Sequence, residues 1–274
     1  MRCFNVIIVI AFPLLVQAQS YITPVADRSQ YVSSLLDSHA DNYFLSRHPV
    51  SGGKTSTLMA TVYGENSLIP GGNKYFSFLS AFSVTPGNIN FLLDFSGAGD
   101  YHLMQTGIGY SRNLGELMQI GLRFNYYRLR IVGYGAASAF PVEAGAVFQL
   151  FPKLRTSLYV YNLTGAGPKG EWLSKIPTVV RFGIGYSASE SVGLSIEIIK
   201  ESGKSVSFQP VMFYQAAGKL FFRGGFTTNT GQIFFSGGYL LGQLRLDLST
   251  SYMGTLGWAT GLGLQFAIAQ KKQP

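Results

Sequence analysis

The sequence predicts an all-β protein, a transmembrane antiparallel β-barrel of about fourteen strands. Three observations predict this class. Only 12% of the residues are charged, and the chain is rich in Gly, Tyr and Phe, with 33, 16 and 21 of them. Beyond the first residues, no apolar run approaches the roughly 18 residues that a spanning helix requires. The remaining structure that satisfies every backbone group in lipid is a closed barrel, with strands of about 9 to 11 alternating residues.

The clearest alternating segment is 118–128, MQIGLRFNYYR. As a strand it places one set of alternate residues, Met118 to Tyr126, on an apolar face and the other set, which includes Arg123, on a polar face. A soluble β-sandwich turns the apolar face to its core, whereas a membrane barrel turns it to lipid and keeps the polar face in its lumen. The segment by itself leaves both alternatives open.

The first residues predict export. Arg2 precedes an apolar run at 6–16, and Val16-Gln17-Ala18 offers small residues for cleavage, so residues 1–18 are predicted to be a signal peptide. Cys3, the only cysteine, lies within it. Cleavage would leave a mature chain in which disulfides and thiolate chemistry are excluded.

Alternating segments and turn residues predict a barrel over residues 55–268 and a periplasmic tail at 269–274. The predicted strands are 55–63, 74–83, 88–96, 102–111, 117–130, 141–151, 154–163, 177–187, 191–200, 205–215, 219–227, 231–240, 243–251 and 256–267. Connections after even-numbered strands are mostly tight, and the longest, 164–176, follows an odd one. Since short turns face the periplasm in bacterial outer-membrane barrels, both termini are predicted to be periplasmic.

Residues 19–54 are the least strand-like part of the mature chain. Asp27 is placed to cap a short helix, and Pro49 with Gly52-Gly53 ends the segment. Two interpretations remain open: the segment plugs or lines the barrel, or it is a loose periplasmic tail.

Charged residues alternate with large apolar ones in several predicted strands. A Lys or Arg facing lipid at the bilayer midplane costs about 2 to 4 kcal/mol, so these charges are expected to face the lumen. We expect a packed, mutually neutralising lumen network rather than a transport path. Its predicted members are Asp94, Arg123, Glu143, Arg181, Glu197, Arg223, Arg245 and Asp247.

Aromatic residues recur on the apolar face near the periplasmic end of the even-numbered strands. Amphipathic rings favour the headgroup boundary, so this pattern predicts an aromatic girdle and argues against a soluble sandwich. Its predicted members are Phe82, Tyr110, Phe148, Tyr186, Tyr214, Tyr239 and Phe266.

The formal net charge is +8, one less without Arg2. Nucleic acid is an unexpected partner for an exported barrel. Basic residues on the predicted outer side are instead candidates to bind lipopolysaccharide phosphates, with ordinary solvated loop ends as the alternative. They are Lys74, Arg128, Arg130, Lys169, Lys175, Lys200 and Lys204.

Nothing in the sequence favours an enzyme, a cofactor or a metal. His102 beside Asp100 is compatible with a hydrolase only if a nucleophile lies nearby, and His39, Asp41 and His48 match no defined metal-site spacing. The Gly-Ile-Gly sequences at 107–109 and 183–185 lie inside predicted strands with no helix after them. They therefore lack the phosphate-binding geometry and are predicted to be small lumen-facing residues.

The strand series resembles the FadL-like barrels, and within them the PorV and PorQ type proteins of the type IX secretion system. The resemblance rests on about fourteen strands, on Ile176-Pro177-Thr178-Val179-Val180-Arg181-Phe182-Gly183-Ile184-Gly185-Tyr186 after a loop that opens Tyr161-Asn162-Leu163-Thr164-Gly165, on Phe222-Arg223-Gly224-Gly225-Phe226, and on the final strand that opens Leu256-Gly257-Trp258. His48-Pro49-Val50 stands where such proteins tend to have Asn-Pro-Ala.

This resemblance implies two functions in the outer membrane of a Gram-negative bacterium. In the first, the barrel is a structural or protein-docking subunit of an envelope or type IX secretion complex. In the second, it is a transporter of hydrophobic small molecules, which FadL-like proteins release sideways through a kinked strand. The chain and its outer loops are short, so the docking function is the first expectation and the transporter is the alternative.

Overall fold

In a computed structural model of the protein, β-strands close into a ring. The structure describes residues 35–36, 42–50, 56–167 and 176–269. The strands are β1 (Ser56–Ser67), β2 (Lys74–Val84), β3 (Gly87–Ala98), β4 (Tyr101–Leu114), β5 (Met118–Ile131), β6 (Gly135–Ala139), β7 (Val142–Phe151), β8 (Leu154–Tyr161), β9 (Val179–Ser187), β10 (Val192–Glu201), β11 (Ser207–Ala216), β12 (Leu220–Thr227), β13 (Gln232–Leu241), β14 (Leu244–Met253) and β15 (Gly257–Ala269).

Every pairing is antiparallel, and β1 pairs with both β2 and β15, which closes the barrel. Fourteen strands form the ring, because the short strand β6 pairs with β5 alone and adds no position to it. The prediction of an all-β barrel of about fourteen strands is therefore confirmed.

Burial resolves which face of each strand looks inward. In β5, the Arg123 side chain is fully buried, while its neighbour Phe124 is 62% exposed. In β9, Val179, Arg181, Gly183 and Gly185 are buried, and the large apolar residues between them are exposed. Charges inside and apolar groups outside reverse the arrangement of a soluble sandwich and match a barrel in lipid.

The connections differ between the two ends of the barrel. At the end where β1 begins and β15 ends, the turns have two to four residues, such as Pro152-Lys153 between β7 and β8. We call this the short-turn end. The longest connection, 162–178, lies at the opposite end, where residues 168–175 fall outside the described part.

One strand departs from the sequence prediction. The sequence pattern predicts no strand at residues 135–139, yet they form β6, which pairs with Tyr127–Ile131 of β5. The strand β7 pairs with Met118–Phe124 of the same edge. Phe140-Pro141 separates β6 from β7, and Pro has no N–H to continue the ladder. The predicted sixth strand is therefore a longer strand interrupted at this proline.

A short 3₁₀ helix, Asn42–Ser46, precedes the barrel in sequence, and all five of its residues are buried. No helix in the described ranges is long and apolar enough to cross a membrane. The predicted signal peptide, 1–18, and most of the predicted tail, 270–274, lie outside the described residues.

Candidate functional site

The described residues before β1 lie inside the barrel, at the half nearer the short-turn end. We call Leu35, Leu36 and residues 42–50 the plug segment. Asn42 donates its side-chain amide to Thr61 Oγ1 (3.0 Å) and to the Leu79 carbonyl (3.1 Å), which ties the segment to β1 and β2. Asn90 of β3 donates to the Pro49 carbonyl at 2.9 Å. The segment therefore crosses the lumen and contacts its walls on several sides.

Arg47 anchors the plug segment to β10 and β11. Its guanidinium is 2.7 Å from a carboxylate oxygen of Glu197 and 3.1 Å from the Gln209 amide oxygen. Glu197 was predicted to face the lumen, but its ion-pair partner comes from outside the barrel sequence. Sequence reasoning missed Arg47 because nothing in the N-terminal segment indicates which wall it faces.

His48 contacts the opposite wall. Its Nδ1 accepts a hydrogen bond from the Val50 N–H (3.2 Å), so Nε2 carries the proton and donates to the Leu158 carbonyl (3.2 Å). The pKa of His48 is lowered to about 3, chiefly by burial, with a smaller contribution from the positive charges of Arg123 and Arg155. The imidazole is therefore neutral and acts as a packing and hydrogen-bonding group.

Glycines in the barrel wall make room for the plug segment. A Cβ atom added at Gly121 would lie 2.8 Å from the Pro49 carbonyl oxygen, and one at Gly263 would lie 2.2 Å from the Tyr43 hydroxyl. Both separations are below normal van der Waals contact. The other glycines of this kind are Gly145 against His48, Gly183 against Leu35 and Gly185 against Leu36.

Gly183 and Gly185 belong to one of the Gly-Ile-Gly sequences discussed above. Their predicted lumen-facing position agrees with the structure, because both are buried, and the isoleucine between them is exposed. Their small size has a specific use here, since the leucines of the plug segment occupy the space.

The lumen charges form three groups. In the first, Arg123 pairs with Glu143 at 2.5 Å, and both side chains are fully buried. Arg123 also donates to the Leu45 carbonyl of the plug segment. Glu143 accepts further hydrogen bonds from Asn125 (2.9 Å) and Gln105 (3.3 Å). This group therefore joins β4, β5 and β7 to the plug segment.

Asp94 pairs across the sheet with Gln105 of the first group and is also buried. Its carboxylate accepts hydrogen bonds from Ser77 Oγ (2.5 Å) and from the Tyr75 hydroxyl (3.2 Å). These donors come from β2, the neighbouring strand, so neutral hydroxyls rather than a direct ion pair stabilise this acid.

The second group surrounds Asp247, whose side chain is fully buried. Arg245 lies 2.7 Å from its carboxylate and Arg223 lies 3.6 Å from it. The Arg245 guanidinium also stacks over the ring of Phe221 at 5.0 Å, and that of Arg223 over Phe213 at 5.2 Å. Two cations share one acid, and aromatic faces stabilise the excess positive charge.

The third group contains Arg181 and Glu197. Arg181 lies over the Tyr159 ring at 5.5 Å, and Glu197 pairs with Arg47 as described above. All eight predicted lumen charges therefore lie on the inward side of the barrel. Arg155, which donates to the Leu35 carbonyl at 3.2 Å, is a ninth that the prediction omitted. The alternation of β8 would have identified it.

The half of the lumen away from the short-turn end is filled by apolar and tyrosine side chains. We call the part near β4 to β9 the outer cluster; its members are Leu103, Tyr127, Leu129, Ala139, Tyr159, Tyr161, Ile176 and Val179. Each is at most 4% exposed. The plug segment therefore lies towards one end of the lumen, level with several of the charges, and the outer cluster lies towards the other end.

In the described part of the chain, the strand ladder is interrupted beside the outer cluster. Among the described residues, β6 has β5 as its one neighbour, and its other edge is unpaired. The pairing of β7 with β8 stops at Ala144–Val160, and one further hydrogen bond joins the Leu163 N–H to the Val142 carbonyl at 2.9 Å. Beyond this point no pairing between described residues continues the ladder, next to the inward-facing Ala139.

The predicted aromatic girdle faces outward. Phe82, Tyr110, Tyr186, Tyr214, Tyr239 and Phe266 are 39% to 46% exposed, and Phe148 is half-buried. All seven lie near the short-turn ends of their strands. Their role at a lipid boundary stays a prediction.

Of the predicted basic residues, Lys74, Arg128, Arg130 and Lys200 are exposed at the end opposite the short turns. Lys204 is half-buried and pairs with Glu201 at 2.8 Å, and Lys200 donates to the Lys204 carbonyl. Lys169 and Lys175 lie outside the described residues.

His102, the histidine considered for a hydrolase, lies on the outer surface of β4, where its ring is 6.2 Å from that of Phe95. His39 and Asp41 lie outside the described residues. Within the described ranges, no group of three His, Cys, Asp or Glu side chains could hold a metal ion.

The closed antiparallel β-barrel defines the fold class of this chain, and solved structures share this fold. TodX, the toluene transporter of Pseudomonas putida, is 9% identical, with a TM-score of 0.64 over 86% of this chain and 95% of that one. A Pseudomonas aeruginosa FadL homologue is 10% identical, with a TM-score of 0.57 over 89% and 96% of the two chains.

The monoaromatic hydrocarbon channel CymD is 10% identical, with a TM-score of 0.57 over 79% of this chain and 90% of that one. No family model matches the sequence, and no curated protein matches it. At these identities the likeness establishes a shared fold. It agrees with the FadL-like part of the resemblance and gives no support to the PorV and type IX part.

Proposed function

We propose that this protein is an outer-membrane channel for hydrophobic small molecules, which leave the lumen sideways through the gap between β6 and β8. The unpaired edge of β6 beside the outer cluster carries this proposal. The transporter, given above as the alternative, therefore becomes the main function, ahead of the docking subunit.

The side chains and the plug segment that fill the lumen support a sideways exit. The plug segment contacts β1, β2, β3, β10 and β11 and obstructs the axial path. Buried ion pairs lie beside the plug segment. A hydrophobic molecule would desolvate them without replacing their hydrogen bonds, at a high free-energy cost. The outer cluster offers apolar and aromatic surface instead. A hydrophobic molecule that reaches this cluster meets lower resistance towards the lipid than towards the periplasm.

The residues of the gap are suited to passage. The strand β6 has the sequence GAASA, so its side chains occupy little space. The pairing of Ala137 with Leu129 and of Ala139 with Tyr127 puts both alanines on the inward face. Since the outer cluster is buried, its side chains must move aside when a molecule passes. The described structure is then a closed state.

The relatives in fold support the same class of cargo. TodX is a toluene transporter and CymD a monoaromatic hydrocarbon channel. The proposed transport requires no covalent chemistry and no cofactor, in line with the expectation that this protein is not an enzyme.

The test is uptake of radiolabelled toluene, and separately of a medium-chain fatty acid, by intact Gram-negative cells that lack their own channel for such compounds. Ala139→Phe places a large ring on the inward face of β6 and is expected to lower the uptake rate at least fivefold. Ala136→Phe is the matched control, because Ala136 lies on the same short strand, is exposed and faces outward. This variant is expected to transport as the wild type does.

Uptake that does not depend on the protein would contradict the proposal, as would equal uptake by the two variants. If uptake is absent and a second protein remains bound to the barrel in stoichiometric amounts after purification in mild detergent, the docking function replaces the transport function.

A further inference from the structure

The outer surface of β2 to β5 carries a row of basic and polar side chains set by strand register. Lys74 pairs with Gly97, Gly97 with His102, and His102 with Arg130. Directly paired residues lie on the same face of an antiparallel sheet. Lys74 and Arg130 are exposed, so this face is the exterior of the barrel. We call Lys74, His102, Arg130 and the nearby Arg128 the basic row.

A second row lies below it, towards the middle of the barrel. Phe76 pairs with Phe95, Phe95 with Met104, and Met104 with Arg128. Phe76 and Phe95 are each 42% exposed. Arg128 thus lies level with two exposed phenylalanines, and the positive charge borders directly on an apolar surface.

The cations of this surface have no acidic partner within the described ranges. No ion pair joins Lys74, Arg128 or Arg130 to a carboxylate there, whereas Lys204 pairs with Glu201 at 2.8 Å. Asp100, in the turn between β3 and β4, contributes its backbone carbonyl to the Val132 N–H. Outward-facing cations that have no acidic partner in the described part of the protein imply that the balancing negative charge comes from outside the protein.

Depth along the barrel indicates which surroundings these are. Leu122 pairs with Tyr110 of the aromatic girdle, and Arg130 follows eight residues later on β5. Eight residues rise about 27 Å along a strand, or about 20 Å along the barrel axis at a tilt of about 40°. The apolar band of such barrels is about 25 Å tall. Arg130 therefore lies near the opposite boundary, where lipid phosphates are found, and Arg128 lies one outward-facing position below it.

A cleft adjoins the basic row. It has a volume of about 650 Å³ and is lined by residues that include Ile69, Lys74, Phe95, Gly97 and His102. Ile69 is 44% exposed, and the His102 ring is 6.2 Å from that of Phe95. The cleft therefore offers a cation and a ring nitrogen beside apolar surface, which suits a ligand with a phosphate head and acyl chains.

We propose that the basic row and the phenylalanines below it form a binding site for a phosphorylated lipid of the outer leaflet, namely the lipid A part of lipopolysaccharide. Arg128, Arg130 and Lys74 contact its phosphates, and Phe76 and Phe95 pack against its acyl chains. Of the other basic residues predicted from sequence, Lys200 and Lys204 are engaged with their own loop, so the proposed site uses only those on this side of the barrel. The site rests on the outer-membrane orientation but not on what the channel transports.

The test uses the full barrel, purified and exchanged into detergent until free of lipid, then mixed with purified bisphosphorylated lipid A and examined by native mass spectrometry. The variant is Arg128→Gln with Arg130→Gln. One basic residue near an anionic lipid surface contributes about a factor of five in affinity, so the pair is expected to lower lipid A affinity about 25-fold.

The matched control is Lys153→Gln with Lys219→Gln, which removes the same charge from exposed positions at the short-turn end. It is expected to bind lipid A as the wild type does. Both variants keep the folded gel mobility of the wild type, because none of these side chains is buried.

Equal lipid A affinity of the arginine variant and the wild type would overturn the proposal. So would equal binding of dephosphorylated lipid A, which would indicate apolar contact alone. Inorganic phosphate is the third arm: a site that binds it as tightly as lipid A is a site for the free ion and not for the lipid.

Discussion

Arg123 is held inside the barrel by groups from distant parts of the chain. Its guanidinium pairs with Glu143 of β7 and donates to the Leu45 carbonyl of the plug segment. Neither charged side chain is exposed to solvent. Each charge depends on the other, because the desolvation cost of a buried ion is offset only by its partner and its hydrogen bonds.

Replacing Glu143 with Gln is expected to destabilise the barrel. The substitution keeps the size of the side chain and leaves the positive charge of Arg123 without a partner. Removing one member of a buried pair costs about 3 to 5 kcal/mol. The measurement is urea unfolding of the protein in detergent, followed by the change in gel mobility.

Glu116→Gln serves as the control, because Glu116 is exposed in the turn between β4 and β5. Adding Arg123→Met to the Glu143 variant removes the unpaired charge and is expected to recover part of the loss. Unfolding of the Glu143 variant at the wild-type urea concentration would contradict the account.

The sequence allowed the inward position of Arg123 to be predicted, since alternation and the cost of a charge in lipid suffice for that. The partner of each charge could not be predicted in the same way. Glu197 pairs with Arg47, which comes from a segment without strand periodicity. Register across a closed ring and the path of a non-repeating segment both depend on packing between residues far apart in sequence.

The plug segment and β6 are the two elements that the strand pattern did not identify. The sequence GAASA has neither polar and apolar alternation nor β-branched residues, so the pattern that located the other strands is absent. It forms a strand because β5 is long enough to offer a free edge at Tyr127–Ile131. Tertiary context, rather than local preference, determines this element.

The fit between the plug segment and the wall glycines leads to a prediction about the closed channel. Gly121→Ala puts a Cβ atom 2.8 Å from the Pro49 carbonyl oxygen and 2.9 Å from its carbon, both backbone atoms that a side-chain rotation does not move. We expect the segment to shift and the ionic conductance in planar bilayers to rise severalfold over the wild type.

Gly237→Ala is the control, because the nearest atom to the added Cβ is 3.7 Å away. Deleting residues 19–50 is expected to raise conductance as well, and adding Gly121→Ala to that deletion is expected to change nothing more. A Gly121 variant that stays as closed as the wild type would show that the segment does not obstruct the lumen.

At the scale of the whole molecule, the arrangement of turns implies an orientation. The short turns gather at the end where β1 begins and β15 ends. Barrels of the bacterial outer membrane have short turns in the periplasm and longer loops outside. This expectation places the gap, the outer cluster and the basic row on the side of the outer leaflet.

Single cysteines test that orientation, since Cys3 is predicted to leave with the signal peptide. A cysteine at the exposed Pro70, between β1 and β2, is expected to react with a membrane-impermeant maleimide on intact cells. A cysteine at the exposed Glu190, between β9 and β10, is expected to react only after the outer membrane is permeabilised. The reverse result would show the opposite orientation in the membrane, and lipid A binding would then need another explanation.

The pairing of β1 with β15 has a consequence for biogenesis. Val62 pairs with Leu264, so the first and last strands of the barrel are hydrogen-bonded to each other. The whole barrel sequence must be ordered before the contact between β1 and β15 contributes any stability. The pairing of these two strands is therefore expected to be among the slowest steps of assembly. The described residues that lie in the lumen precede β1 in sequence, so they are synthesised before the wall that surrounds them. The wall therefore has to close around a segment that is already present when β15 pairs with β1.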